Sequence, residues 1–187
     1  MNSRLPLFLI ALLCVPGSLS SQAIGPDFTH TTASSTDGKL VPYTLDLEGT
    51  VGFRIPITPC LISTPEGPAE GVIFVGSGTG YGAHLGKSTW TSSECGDPVT
   101  GRFQDGFLVI TAANGDTLNI EFEGTFSTAT WPFPAAEFDV IAGGTGRFAD
   151  AQGWGTSNLN LFVSFDADGN PISPWPITLS GAGRISY

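Results

Sequence analysis

Basic residues are scarce in this chain of 187 residues, where seven Lys and Arg stand against seventeen Asp and Glu and the formal net charge is −10. A strongly acidic protein is repelled by nucleic acid and by anionic membrane surfaces. We therefore expect no nucleic-acid partner. The acidity is explained most simply by solubility, without a cationic partner.

Histidine is almost missing, since His30 and His84 are the two in the sequence. A histidine-based metal site or a Ser-His-Asp triad therefore has few candidates, and no GxSxG motif is present. We expect no metal site. His30 falls in a polar stretch without periodicity, and His84 is expected to be an ordinary strand residue.

Long apolar runs are absent except near the N-terminus, where Arg4 precedes the run Leu5 to Val15 and a small-x-small site ends at Ala23. This order is typical of a cleaved signal peptide, and the run is too short for a membrane span. We predict a signal peptide over residues 1–23, a flexible lead-in over 24–42 and a folded domain over 43–187. The mature protein is expected to be secreted or periplasmic, without a membrane span.

Cysteine is also rare, and of the three in the sequence Cys60 and Cys95 remain after the predicted cleavage. Disulfides persist in an exported protein, so we expect these two cysteines to pair. A catalytic or metal-binding thiol pair is the alternative. No CxxC spacing or histidine cluster supports it.

Helical periodicity is missing from the predicted domain, and alternation with period two takes its place. Apolar residues alternate with polar ones between Leu45 and Ile55, and again between Thr117 and Phe126 after the turn dipeptide Asn114–Gly115. Such alternation is typical of strands buried on one face, and this dipeptide favours a hairpin. Roughly eight such strands predict an all-β fold, either a sandwich or a closed antiparallel barrel. Abundant glycine, which accommodates the bends of closure, favours a single eight-stranded, calycin-like barrel.

The glycine-rich stretch Phe138 to Gly155 is the most informative part of the sequence about the fold. It predicts a strand, a sharp glycine turn and a second strand, with Phe148 packed on the core. The stretch Ser77 to Trp90 has a similar pattern and predicts the same kind of turn. Both contain GxGxxA, but neither is followed by the helix that dinucleotide binding requires. Asp166 to Asn170 predicts a hairpin turn, in preference to a calcium loop.

Asp139 lies between two apolar neighbours, Phe138 and Val140, and its side chain can point to either face of the predicted strand. An inward carboxyl would have a raised pKa and would be a candidate general acid or base. An outward carboxylate would be one more surface charge. The outward orientation is the one we expect, and Asp139 is therefore a weak catalytic candidate.

The residues Gly143, Gly144, Thr145, Gly146, Phe148, Ala151 and Gly153 form the pattern GGTGxFxxAxG. This pattern resembles the glycine-rich hairpin of the allene oxide cyclase and dirigent superfamily. The resemblance implies an eight-stranded antiparallel barrel, commonly a trimer, that works without metal or organic cofactor. Cyclases of that superfamily hold a reactive apolar substrate for ring closure, and its secreted dirigent members steer phenoxy radical coupling. The motif carries no catalytic residue of the superfamily, and Asp150 and Gln152 depart from residues common in dirigent proteins.

We therefore expect a secreted barrel that takes a small, largely apolar molecule, as a cofactor-free cyclase or isomerase. A lipocalin-like carrier without catalysis, or a structural barrel with a filled core, is the alternative. Aromatic residues are the predicted lining of the cavity. Four are phenylalanines, and the three tryptophans, Trp90, Trp131 and Trp154, are expected nearer its mouth. The predicted ligand-binding residues are Phe53, Phe74, Trp90, Phe122, Phe126, Trp131 and Trp154.

Overall fold

The computed structural model describes residues 39–187, most of which lie in β-strands. The strands are β1 (Val41–Phe53), β2 (Pro59–Ile62), β3 (Ala69–Gly82), β4 (Gly86–Gly96), β5 (Arg102–Ala112), β6 (Thr117–Phe126), β7 (Phe133–Gly144), β8 (Gln152–Leu161), β9 (Ser164–Phe165), β10 (Pro171–Ile172) and β11 (Trp175–Ser186). One turn of 3-10 helix, Gly146–Phe148, lies between β7 and β8. The predicted signal peptide and most of the predicted lead-in lie outside the described residues, and β1 begins at Val41.

Eight strands form a closed antiparallel ring in the order β1, β3, β4, β5, β6, β7, β8, β11, and β11 pairs again with β1. The short strand β2 continues along the edge of β3 beyond the end of β1. The two-stranded β9–β10 sheet lies in the connection between β8 and β11. The predicted eight-stranded, calycin-like barrel is confirmed, and closure of the ring rules out the sandwich.

Alternation along the sequence determines which side chains enter the barrel. In β1, Tyr43, Leu45 and Leu47 are buried, while the intervening Asp46 and Glu48 are exposed. The β5–β6 hairpin turns at Gly115, where φ is 89°, a conformation that glycine adopts without strain. The strand and hairpin predictions for these segments are therefore confirmed.

The glycine-rich connection between β7 and β8 closes one end of the barrel. Gly143 and Gly146 have φ of 85° and 57°, which turns the chain sharply. Phe148 is thereby placed in the core with no exposed surface, as the sequence predicts. The Thr145 hydroxyl fixes the turn to β6, because it accepts a hydrogen bond of 2.9 Å from the backbone N–H of Thr117.

The second glycine-rich stretch differs from its prediction. Residues 77–82 continue β3 as strand, so the expected turn lies later in this stretch, at residues 83–85, and not at Gly78 and Gly80. Glycines are required there because the indole of Trp90 lies against the strand: a Cβ at Gly76 or Gly78 would approach the Trp90 ring to 2.9 or 2.8 Å. The Trp90 Nε1–H donates to the Glu48 carbonyl oxygen at 3.1 Å. Glycine in β3 thus makes room for a large side chain from β4.

The chain reverses after β3 at residues 83–85, so His84 lies in a turn and not in the expected strand. Its backbone φ is 69°, and its ring is exposed. The ring Nε2 lies 2.9 Å from the Pro42 carbonyl oxygen. Asp166 to Asn170 forms the predicted turn, in which Asp166 Oδ1 accepts hydrogen bonds from the backbone N–H groups of Asp168 and Asn170.

The predicted disulfide is confirmed. Cys60 in β2 is bonded to Cys95 in β4, with 6.0 Å between their Cα atoms. The bond passes over Gly71 of the intervening strand β3, where a Cβ would come within 3.2 Å of the Cys95 sulfur. The cross-link therefore needs a residue without a side chain beneath it.

Among the described residues, 39–187, no helical segment has the length and hydropathy of a membrane span. The same part of the chain contains no group of three or more His, Cys, Asp or Glu residues placed to hold a metal ion.

Candidate functional site

A cavity of about 420 Å³ lies inside the barrel. That volume falls in the range of small-molecule sites. Its exposed lining residues are Pro98, Thr128, Phe165 and Pro171, which belong to the β4–β5 and β6–β7 connections and to the region of the β9–β10 hairpin. The cavity therefore opens at the end of the barrel that carries these connections. Phe148 blocks the opposite end.

Five of the seven predicted ligand-binding residues line this cavity, namely Phe53, Phe74, Trp90, Phe122 and Phe126. Trp131 and Trp154 are not among its lining residues. Trp131 is 65% exposed and donates from Nε1 to the Val163 carbonyl oxygen at 3.3 Å. Trp154 is 54% exposed and lies near the start of β8, at the end of the barrel away from the mouth. Its predicted position near the mouth is therefore wrong.

Asp139 points into the barrel, and the outward orientation expected from its apolar neighbours is wrong. Its side chain is 2% exposed and accepts a hydrogen bond of 2.6 Å from the Ser157 hydroxyl. Burial raises the pKa of the Asp139 carboxyl, and the Ser157 hydrogen bond lowers it in part. Asp139 is not in the cavity wall. It lies one inward position deeper along β7 than Glu137, which is in the wall.

Two carboxyl groups that the sequence analysis missed, Glu94 of β4 and Glu137 of β7, line the cavity. Burial raises the pKa of Glu94 to about 7, although the Ser92 hydroxyl lowers it in part. Burial also raises the pKa of Glu137 well above its ordinary value, and the nearby charges of Asp139 and Glu94 raise it further. Near neutral pH Glu94 is therefore partly protonated, and burial favours the protonated form of Glu137 as well.

No basic side chain compensates these acids within the part of the chain that the structure describes. None of the Lys, Arg or His residues in positions 39–187 is buried, and none lines the cavity. Besides Glu137, Tyr43 is a titratable group near Asp139. Burial together with the Asp139 charge raises the pKa of the Tyr43 hydroxyl. The inner acids therefore face aromatic and aliphatic side chains, small hydroxyls and each other.

Three aromatic rings form a cluster in the cavity wall. The Phe53 centroid lies 5.0 Å from that of Phe74 and 5.2 Å from that of Trp175, and Phe74 lies 6.1 Å from Trp175. Phe74 is the register partner of Glu94 across the β3–β4 pair, so a carboxyl group lies beside the cluster. The site therefore combines aromatic faces with an acid.

Two buried polar atoms of the wall have no hydrogen-bond partner in the described structure, Glu94 Oε2 and Trp175 Nε1. An unsatisfied buried polar group costs about 1–3 kcal/mol, so water or a bound molecule is expected to satisfy both. Glu137 is 8% exposed and faces the same space. The polar surface of the cavity thus consists of a few groups in a mostly apolar wall.

These features define the class of the protein: it is a closed antiparallel β-barrel of calycin-like form, with an apolar, acid-containing cavity open at one end. No family model, curated protein or solved structure matches the chain.

Proposed function

We propose that the barrel binds a small, largely apolar molecule in its interior. The observation that supports this proposal is the cavity of about 420 Å³, which has mostly apolar walls and an open mouth. A structural barrel would gain stability by filling this space with side chains, because each unfilled volume in a core loses contacts. The unpaired Glu94 Oε2 and Trp175 Nε1 further favour an occupant with one or two polar groups.

The test is retention of small molecules by the purified protein, measured by mass spectrometry after incubation with extracts of its native host. Ala135→Phe should abolish retention, because Ala135 is buried in the cavity wall and the added ring would fill the space. Ala136→Phe is the matched control, since Ala136 is exposed on the same strand. Equal retention by both variants would contradict binding in the cavity.

Cofactor-free isomerisation or cyclisation is a second candidate function, and the pKa of Glu94 favours it. A carboxyl with a pKa of about 7 can both donate and accept a proton near neutral pH, which is what a general acid–base catalyst requires. The apolar walls would hold the reacting atoms close together. The resemblance of the glycine-rich hairpin to that of the cyclase superfamily supports the same candidate.

Catalysis would be detected as replacement of an incubated compound by one of equal mass at a new retention time. Glu94→Gln should lower that rate by roughly 10²- to 10⁴-fold, while the compound is still retained. Retention without conversion by the unmodified protein would leave the carrier as the function.

Export and assembly are further parts of the proposal. The Cys60–Cys95 disulfide supports a secreted or periplasmic location, since such bonds persist in oxidising compartments. A homotrimer is expected from the resemblance alone, and the mass of the purified protein in solution tests it.

A further inference from the structure

We propose that the molecule bound in the cavity is an amine with an apolar body, and that its ammonium group pairs with Glu94 and Glu137 beside the cluster of Phe53, Phe74 and Trp175. This inference rests on the proposed binding function and specifies the class of ligand. It follows from the combination of two inward acids, an aromatic cluster and the lack of a basic side chain among the wall residues.

The acids alone would not indicate a ligand, but their surroundings do. A buried carboxylate normally has a cation or several hydrogen-bond donors as partners. Glu94 Oε2 has none in the described structure, although the Ser92 hydroxyl interacts with this carboxyl group. The side chain of Glu137 is 8% exposed and lies in the wall of the same cavity. A ligand ammonium group would supply both the charge and the N–H donors that the barrel omits.

The aromatic cluster adds an independent reason. The faces of aromatic rings attract cations, and several rings arranged around a site are a recurrent means of ammonium recognition. The rings of Phe53, Phe74 and Trp175 lie within 5.0 to 6.1 Å of one another and all line the cavity. Phe74 also lies opposite Glu94 in the sheet, which places the carboxyl and the rings around the same part of the cavity.

The titratable groups determine how binding depends on pH. Glu94 on β4, Glu137 and Asp139 on β7 and Tyr43 on β1 are the ionisable groups buried in this part of the barrel. The facing segments of β5, β6, β8 and β11 contribute apolar side chains, glycine and Ser157. When the amine binds below the pKa of Glu94, the carboxylic acid loses its proton to solvent and the resulting carboxylate pairs with the ammonium group. Amine affinity should therefore rise between about pH 5 and pH 8.

The experiment is isothermal titration calorimetry with three probes of one shape: 4-phenylbutylamine, 4-phenylbutan-1-ol and 4-phenylbutyrate. At pH 8 the amine should bind about tenfold or more tightly than the alcohol, as expected for a charge-assisted hydrogen bond, and the acid should bind least. At pH 6, titrations in buffers of different ionisation enthalpy should show release of a proton on binding of the amine and none on binding of the alcohol.

Glu94→Gln and Glu137→Gln should each reduce the preference for the amine over the alcohol, and Glu94→Gln should reduce the proton release. Glu121→Gln is the control, because Glu121 is exposed on the outer face of β6. Phe53→Leu should lower amine affinity by about three- to tenfold with a smaller effect on the alcohol, since it removes one ring of the cluster.

The outcomes separate this inference from the function on which it rests. Equal or tighter binding of the alcohol, or no proton release with the amine, would overturn the amine assignment while leaving a small-molecule-binding barrel. If none of the three probes binds and host extracts also leave nothing on the protein, the proposed function itself is wrong. Binding that Ala135→Phe does not weaken would place the probes outside the cavity and overturn both.

Discussion

At the scale of single residues, the unusual feature is that Glu94, Glu137 and Asp139 lie inside an apolar barrel with raised pKa values. A group whose pKa is higher in the folded protein than in the unfolded chain binds its proton more tightly when folded. Its favourable contribution is complete below the unfolded pKa and is lost as the pH rises through the folded pKa. These acids therefore reduce stability at neutral and alkaline pH.

We predict that the barrel is most stable in mildly acidic solution and loses stability as the pH rises. For Glu94 the loss should occur between its ordinary pKa near 4.5 and about 7. Conversion of this pKa difference into free energy gives a loss of on the order of 3 kcal/mol in the free energy of unfolding when Glu94 ionises. Thermal unfolding followed by circular dichroism from pH 4 to pH 9 measures this trend.

Glu94→Gln should reduce the fall of the melting temperature with rising pH and should raise the melting temperature at pH 8. Substitution of the exposed Glu121 by Gln should leave the pH dependence unchanged. Below about pH 4 the trend should reverse, because the pKa of Asp97 is lowered by hydrogen bonds from the Thr100 hydroxyl and from backbone N–H groups. A melting temperature that rises steadily from pH 5 to pH 8 would contradict the prediction.

The same residues mark the limit of what the sequence could predict about the site. Apolar aromatic side chains at inward positions, such as Phe53 and Phe122, could be assigned to the interior from alternation alone. Glu137 and Asp139 could not, because the outer face of β7 carries Phe138 and Val140, which makes the wrong face look like the buried one. The sequence did contain one signal. The two acids occupy alternate positions between Ala135 and Ile141, which are apolar and buried, so all four residues share one face of β7.

At the scale of elements, strands with regular alternation and hairpins with a turn dipeptide could be predicted, as β1 and the β5–β6 hairpin demonstrate. The length of β3 could not, since its inward positions from Gly76 to Gly82 are glycines and provide no apolar signal. Gly76 and Gly78 make room for the indole of Trp90 from the neighbouring strand, and side chains at Gly80 and Gly82 would meet Leu47 and Leu85. Local patterns contain no information about such a partner.

The disulfide supports the elements at the mouth of the cavity, because it fastens the short strand β2 to β4 across β3. We predict that replacing both cysteines by serine lowers the free energy of unfolding by about 4 kcal/mol, from the loop-closure entropy of a cross-link with a sequence separation of 35. Denaturant titration of the double variant measures the loss.

Gly71→Val should also destabilise the protein, because its side chain would meet the Cys95 sulfur and Ile62. In the variant that lacks both cysteines, Gly71→Val should lower the free energy of unfolding by less, because the Cys95 sulfur no longer obstructs the added side chain. Equal costs in the two backgrounds would contradict the proposed role of Gly71 beneath the cross-link.

At the scale of the whole molecule, the barrel has two unlike ends. The end that carries the β7–β8 turn is filled by large buried side chains such as Phe148 and Leu85, and the other end opens into the cavity. Closure and the number of strands could be predicted because period-two alternation and turn residues recur along the chain. The size of the cavity could not, since it depends on how side chains from eight strands meet in the centre.

The pairing of β1 with β11 has a consequence for how the chain can be cut and rejoined. Val41 lies opposite Ile185, so the first and last strands of the ring are adjacent and antiparallel, and their outer ends lie side by side at the filled end. A short linker could therefore join these ends, while the Asn114–Gly115 turn, at the same end of the barrel, could be opened. Such a circular permutant would retain every strand neighbour of the original ring, and the new termini would lie away from the cavity mouth.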